Sequence, residues 1–180
     1  LIPMAFSQDS ASIIMYHRFG NSDYPTTNIQ VDRFKEHIRE LENSRYSVLS
    51  LTEITKRLRS GKDLPNYTVG LSIDDAFLSV YENAWPILKN ANMPFTLFVA
   101  TKPIDLGLSS YMNWDQIREL KRHGVTIGSQ TKTHPHLHLL SEEEIRTEIS
   151  ESNIRFKEEL GEVPNLFAYP YGEYNNLTKK

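Results

Sequence analysis

The stretch richest in chemistry is Val69-Gly70-Leu71-Ser72-Ile73-Asp74-Asp75-Ala76-Phe77, where a short apolar run meets two adjacent carboxylates. Adjacent strand residues project to opposite faces, so Asp74 and Asp75 reach one site only where a strand is ending. Side by side they repel, and both stay ionised most readily with a cation against one of them. The competing explanation is a strand-to-loop turn in which one Asp caps the following helix. A second stretch, Gly128 to His138, carries His134, His136 and His138, half of the 6 histidines in the chain. Neutral imidazole with carboxylate is the usual donor set for a catalytic zinc-like ion that keeps a water position open. Pro135 interrupts any helical spacing and nothing in the sequence orients His136 and His138 inward, so those two read as part of a His-rich surface loop. His17 follows the apolar run Ser12-Ile13-Ile14-Met15-Tyr16 and is either a structural histidine or a ligand. In Tyr169-Pro170-Tyr171-Gly172 a fixed backbone could aim an N–H at an oxyanion, although turn formation alone also accounts for the Pro and Gly.

These residues need a scaffold that gathers strand ends on one face. Apolar residues at 31, 34, 38 and 41 predict a helix from Val31 to Leu41, with Asp32 in its first turn. Tyr46 to Leu49 reads as a strand, and Thr52 as the cap of a helix running to Gly61. Val80 to Asn90 reads as a helix that Pro86 kinks or starts. Pro94 to Ala100 is the clearest buried strand, and Thr101 to Asn113 a loop. A helix from Trp114 to His123 precedes a strand over Val125 to Ser129. Ser141-Glu142-Glu143-Glu144 opens a long helix that Gly161 closes, and Leu166 to Tyr169 reads as the last strand. Repeated βα units of this kind build mostly parallel sheets or barrels, whose chemistry sits at the strands' C-terminal ends.

Composition narrows the classes. The 180 residues suit one domain and are few for a closed eightfold barrel. A net charge of -3 gives no basic surface for nucleic acid. With no cysteine, a metal would have to be held by His, carboxylate or amide oxygen. No run is long enough to span a membrane. Leu1-Ile2-Pro3-Met4-Ala5-Phe6-Ser7 is apolar with small residues at 5 and 7, and is read as the tail of a signal peptide cleaved after Ser7, against an ordinary chain end or an extra edge strand. That reading makes residues 1–7 a leader remnant, 8–180 the catalytic domain, and the protein an exported one.

Taken together, the motifs resemble those of the polysaccharide deacetylases with a NodB-homology domain, carbohydrate esterase family 4. Ser72-Ile73-Asp74-Asp75-Ala76 is similar to that family's Thr-Phe-Asp-Asp-Gly motif, Gln130-Thr131-Lys132-Thr133-His134-Pro135 to its His-Ser/Thr-x-x-His-Pro motif, and Phe167-Ala168-Tyr169-Pro170-Tyr171-Gly172 to its Arg-x-Pro-Tyr-Gly motif. The resemblance implies an α/β fold, a distorted (β/α) barrel, present here as its N-terminal and larger part. It implies a metal-dependent hydrolase that removes N-acetyl groups from a hexosamine-containing glycan, with a divalent ion, zinc by analogy, as cofactor. By the same analogy Asp74 is the general base, Asp75 and His134 are metal ligands, Thr131 buttresses the loop, and the backbone N–H of Tyr171 meets the oxyanion. Tyr111, Trp114 and Tyr171 are candidates for stacking on sugar rings, and Trp114 equally for the core.

Three positions depart from the pattern. Gln130 stands where the family has its first metal histidine, leaving the third ligand to Gln130, His17 or water. Ala168 stands where the family has an Arg beside the catalytic Asp, and Ala76 replaces Gly. The motif that carries the family's catalytic acid is not among these residues, so the resemblance places it beyond Lys180. Gln130 and Ala168 keep a carbohydrate-binding pseudoenzyme in view, and the same chemistry would serve a metal-dependent amidase acting on a small non-sugar amide.

Overall fold

A computed structural model describes residues 9–179, so the leader reading of residues 1–7 lies outside the described residues. The sheet is built around β5 (Thr68–Ile73), whose every residue is buried. β1 (Ser12–Tyr16) runs parallel along one edge of it, from Ser12 opposite Val69 to Tyr16 opposite Ile73. The other edge is shared: β4 (Ser47–Val48) pairs with Thr68 and Val69, and β6 (Thr96–Val99) with Ser72 and Ile73. β7 (Thr126–Ser129) then pairs in parallel with all of β6. A short parallel pair, β2 (Arg18–Phe19) with β3 (Asn28–Ile29), folds the segment after His17 over the strand ends. All five strands of the main sheet are parallel, as buried strands joined by helices must be.

The helices fill the connections. α1 (Val31–Asn43) buries Phe34, Ile38 and Leu41, the stripe read from the sequence. α2 (Leu51–Arg59) starts two residues earlier than expected. Ser50, not Thr52, is its cap, because the Ser50 hydroxyl accepts the N–H of Glu53, an orphan donor of the first turn. The expected helix over Val80 to Asn90 has two parts. A widened turn, Val80–Ala84, passes into α3 (Trp85–Asn90), and the Trp85 N–H reaches back to Val80 O. Pro86 at the start of α3 has no N–H to donate, and the wide turn absorbs the missing bond. The expected loop after β6 contains a short helix, α4 (Thr101–Asp105). α5 (Trp114–Arg122) and α6 (Glu142–Leu160) both open on reciprocal capping boxes, Asn113 with Gln116 and Ser141 with Glu144.

The last expected strand shrinks to one bridge, Ser129 with Phe167. Ser129 N–H donates to Leu166 O and Ala168 N–H to Ser129 O, both at 2.9 Å. Pro164 and Pro170 bracket this segment and cannot donate, which keeps the ladder short. Close packing fixes β7 here: a Cβ at Gly128 would lie 2.4 Å from the Phe98 ring. Among the described residues the sheet is an open arc that runs from β1 through β5, β6 and β7 to the bridge at Phe167.

Candidate active site

The β1–β5 ladder runs one bond beyond the strand, Asp74 N–H donating to Tyr16 O at 2.9 Å, and the chain then turns sharply. Asp75 and Ala76 both adopt the left-handed region, with φ of 71° and 53°. This reversal lets two adjacent carboxylates serve one face of the sheet. It also explains why glycine suits position 76, since an L-residue there costs about 1–2 kcal/mol.

Asp74 is buried, 7% exposed, and its Oδ2 accepts from Gln130 Nε2 at 3.2 Å. Burial, and then the neighbouring charge of Asp75, push its carboxyl up to about 7, against the pull of the Gln130 hydrogen bond. Asp75 meets the imidazole, its Oδ1 3.4 Å from His134 Nε2. His17 lies close enough to feel both: burial lowers its pKa, Asp75 opposes that, and Arg18 and His134 add to it. A cleft of ≈ 330 Å³ lined by Tyr16, His17, Arg18 and Thr27 opens beside it.

The loop after β7 is held from several sides. Thr131, fully buried with φ of 72°, accepts the His134 N–H on its hydroxyl at 3.1 Å. Glu148 of α6 accepts from the backbone N–H groups of Lys132 and Thr133 and from the Thr133 hydroxyl, at 3.1, 2.8 and 2.7 Å. A carboxylate filled by three donors is a strong clamp, because charge-assisted bonds are roughly twice as strong as neutral ones. Glu148 escaped the sequence reading since it looks like one more solvated charge on an acidic helix. Arg18 was also missed; its guanidinium stacks over Phe77 at 3.5 Å and Tyr24 at 4.0 Å, flooring the site.

Tyr171 lies against the same histidine. Its ring meets His134 edge-on at 4.7 Å and its backbone is left-handed, φ 60°. Tyr111 joins Phe77 by a bridge, and its hydroxyl is raised by burial, then by Asp75, with Tyr171 contributing, so it borders the site. Trp114 does not: it is 8% exposed, packs edge-on against Phe156 and donates Nε1 to Asp105. Its place is the core. His136 and His138 point to the far side of Tyr171, where both face Glu173.

A divalent ion fits this donor set in part. Asp75 Oδ1 and His134 Nε2 already converge, and the Gln130 carbonyl oxygen is buried with no hydrogen-bond partner. The amide nitrogen of Gln130 is committed to Asp74, so a direct bond from this residue could come only from that orphaned oxygen.

A parallel α/β sheet that collects a carboxylate pair, an imidazole and a left-handed Tyr at its C-terminal edge defines the class as an α/β protein with a hydrolase-type centre. The family model for polysaccharide deacetylase matches residues 61–180, and the chain belongs to that family. It is 28% identical over 201 residues to the poly-beta-1,6-N-acetyl-D-glucosamine N-deacetylase of Staphylococcus aureus, covering 96% of this chain and 68% of that protein. With YxkH of Bacillus subtilis it shares 27% identity over 168 residues, 93% of this chain but 59% of the relative's length. Among solved structures, the Streptococcus pyogenes deacetylase PplD in complex with acetate superposes with a TM-score of 0.86 at 26% identity, over 94% of this chain and 77% of that one. IcaB from Ammonifex degensii gives a TM-score of 0.86 at 28% identity, over 96% and 79%. The open five-stranded arc is therefore the sheet of the NodB-type fold expected from the motifs.

Proposed function

We propose that this protein hydrolyses N-acetyl groups from a hexosamine-containing polysaccharide, with a β-1,6-linked N-acetylglucosamine polymer as the first substrate to test. The observation that carries the reading is the pairing of Asp75 with His134 at 3.4 Å beside a buried, proton-accepting Asp74. The named activity of the staphylococcal relative supports the choice of polymer. When bound at Asp75 and His134, a divalent ion, zinc by its N/O donor chemistry, supplies Lewis-acid polarisation of the acetyl carbonyl and of water. Asp74 takes the proton of the attacking water; a carboxyl near 7 is poised for that near neutral pH. The Tyr171 N–H, on the rigid Pro170 turn, meets the oxyanion as the amide carbon becomes tetrahedral. The C–N bond then breaks as the leaving nitrogen takes up the proton that Asp74 removed from water, giving acetate and the sugar amine. Tyr111 and the 58%-exposed Tyr171 offer ring faces to the sugar.

Export is part of the proposal. The apolar segment ending in Ala5-Phe6-Ser7 and the lack of cysteine support it, and no helix among the described residues is long and apolar enough to cross a membrane. Gln130 favours a second reading, a glycan-binding protein without turnover, because its amide is turned to Asp74. Metal titration of Asp74→Asn and Asp75→Asn separates the two readings. Catalysis requires that only Asp75→Asn weaken metal binding; a protein that takes up no ion at Asp75 is a binding module.

A further inference from the structure

On the far side of Tyr171 lies the only group of at least three His, Asp or Glu donors among the described residues whose ligand atoms sit within 4.8 Å of one another: His136, His138 and Glu173. The carboxylate Oε2 of Glu173 lies 2.6 Å from His136 Nδ1 and 3.2 Å from His138 Nδ1. The first contact is a hydrogen bond. The second is not, because the buried Nδ1 of His138 makes no hydrogen bond to any partner. A tetrahedral ion at about 2.0–2.1 Å from each donor sets ligand atoms about 3.3 Å apart. The His138 edge already has that length, and the His136 edge needs to open by less than an ångström.

The frame around the three is rigid. Pro135 precedes the histidines, and Leu137 and His138 sit in a single 3-10 turn, Leu137–Leu139. The His136 ring stacks on Tyr171 at 4.0 Å with 12° between planes. Asn175 Nδ2 donates to His138 O at 3.1 Å, tying the segment after Glu173 to the histidine turn. The side chains are 48%, 32% and 42% exposed, which leaves room for water at the open positions.

We propose that His136, His138 and Glu173 form a second divalent-cation site, of zinc-type His-His-Glu chemistry, distinct from the Asp75–His134 centre and separated from it by the Tyr171 ring. An ion there clamps the 134–138 loop to the 170–175 segment and so fixes the turn that carries Tyr171. The site does not depend on the deacetylase reading, since none of its donors takes part in that chemistry.

The test is zinc uptake by the purified full chain, followed by calorimetric titration and elemental analysis, for the parent, Glu173→Gln, His138→Gln, and Asp75→Asn. The parent is expected to bind one more equivalent of zinc than either Glu173→Gln or His138→Gln, with about tenfold or greater loss of affinity at that site. Asp75→Asn is expected to keep it. Circular dichroism checks that each variant is folded, and Glu173→Gln, a neutral isostere at a half-buried position, serves if His138→Gln does not fold. Zinc stoichiometry and affinity unchanged in folded Glu173→Gln would overturn the proposal, as would loss of the same equivalent in Asp75→Asn. A protein with this equivalent but no deacetylation would refute the function proposed above and leave this site standing.

Discussion

Asp74 is ionised in the unfolded chain above its ordinary value of 3.8, yet burial and Asp75 hold its folded value at about 7. Between those values the native state keeps a proton that the unfolded state releases. Stability therefore falls as pH rises from about 4 through about 7 and is lowest above the folded value. A gap of about three pKa units at about 1.36 kcal/mol each makes the full penalty about 4 kcal/mol. Asparagine has nearly the same shape, carries no charge, and offers a carbonyl to Gln130 Nε2. In chelator-treated protein, Asp74→Asn should thus gain about 4 kcal/mol over the parent near pH 8, and about 2 kcal/mol or less at pH 5. For a chain of this size that is a Tm increase on the order of 10 °C at the higher pH. Urea unfolding followed by circular dichroism across that range reads it directly. A difference in unfolding free energy that does not grow with pH would show that Asp74 is not held protonated by its surroundings, and the argument for its role as base would fall with it.

Other perturbations have equally definite outcomes. Asp75→Asn and His134→Ala should each weaken zinc binding by at least about tenfold while Asp74→Asn leaves it nearly intact, since ligands and base are different residues; calorimetry reads the division, and equal losses in all three would contradict it. Glu148→Ala removes three hydrogen bonds from the loop that carries His134, and should cost about 2–3 kcal/mol of stability and raise amide exchange at 132–134; exchange unchanged there would refute the clamp. Gly128→Ala puts a methyl group into the Phe98 ring, with an expected loss of about 1–3 kcal/mol in denaturant unfolding. Gln130→His should tighten zinc binding at Asp75 and His134, because imidazole is a better donor than an amide; an unchanged affinity would mean that position 130 does not reach the ion.

Much of this was legible in the sequence because it rests on local signals. The helical stripe of α1, the capping box of α6 and the buried run of β6 are set by near neighbours in the chain. The pairing of Asp75 with His134, residues 59 positions apart in the numbering, was expected from the resemblance of their two motifs to those of the polysaccharide deacetylases. What escaped depends on long-range geometry. No local pattern distinguishes Glu148 from the other acids of α6, yet the fold lays it under the 131–134 loop. The chemistry of His136 and His138 needs Glu173, which a turn around Tyr171 brings back from beyond the last bridge. Thr52 lost the cap to Ser50 because a helix start is decided by which hydroxyl reaches an orphan N–H, a difference of two residues that composition does not resolve.

The most direct test of the function is acetate release from β-1,6-linked N-acetylglucosamine oligomers by zinc-loaded protein, measured beside the chelated protein and Asp74→Asn. Metal-dependent acetate with an equal yield of free amine, abolished in Asp74→Asn although the variant still binds zinc, is the predicted result. Acetate release undiminished in Asp74→Asn, or none from protein that holds zinc at Asp75, would contradict the mechanism.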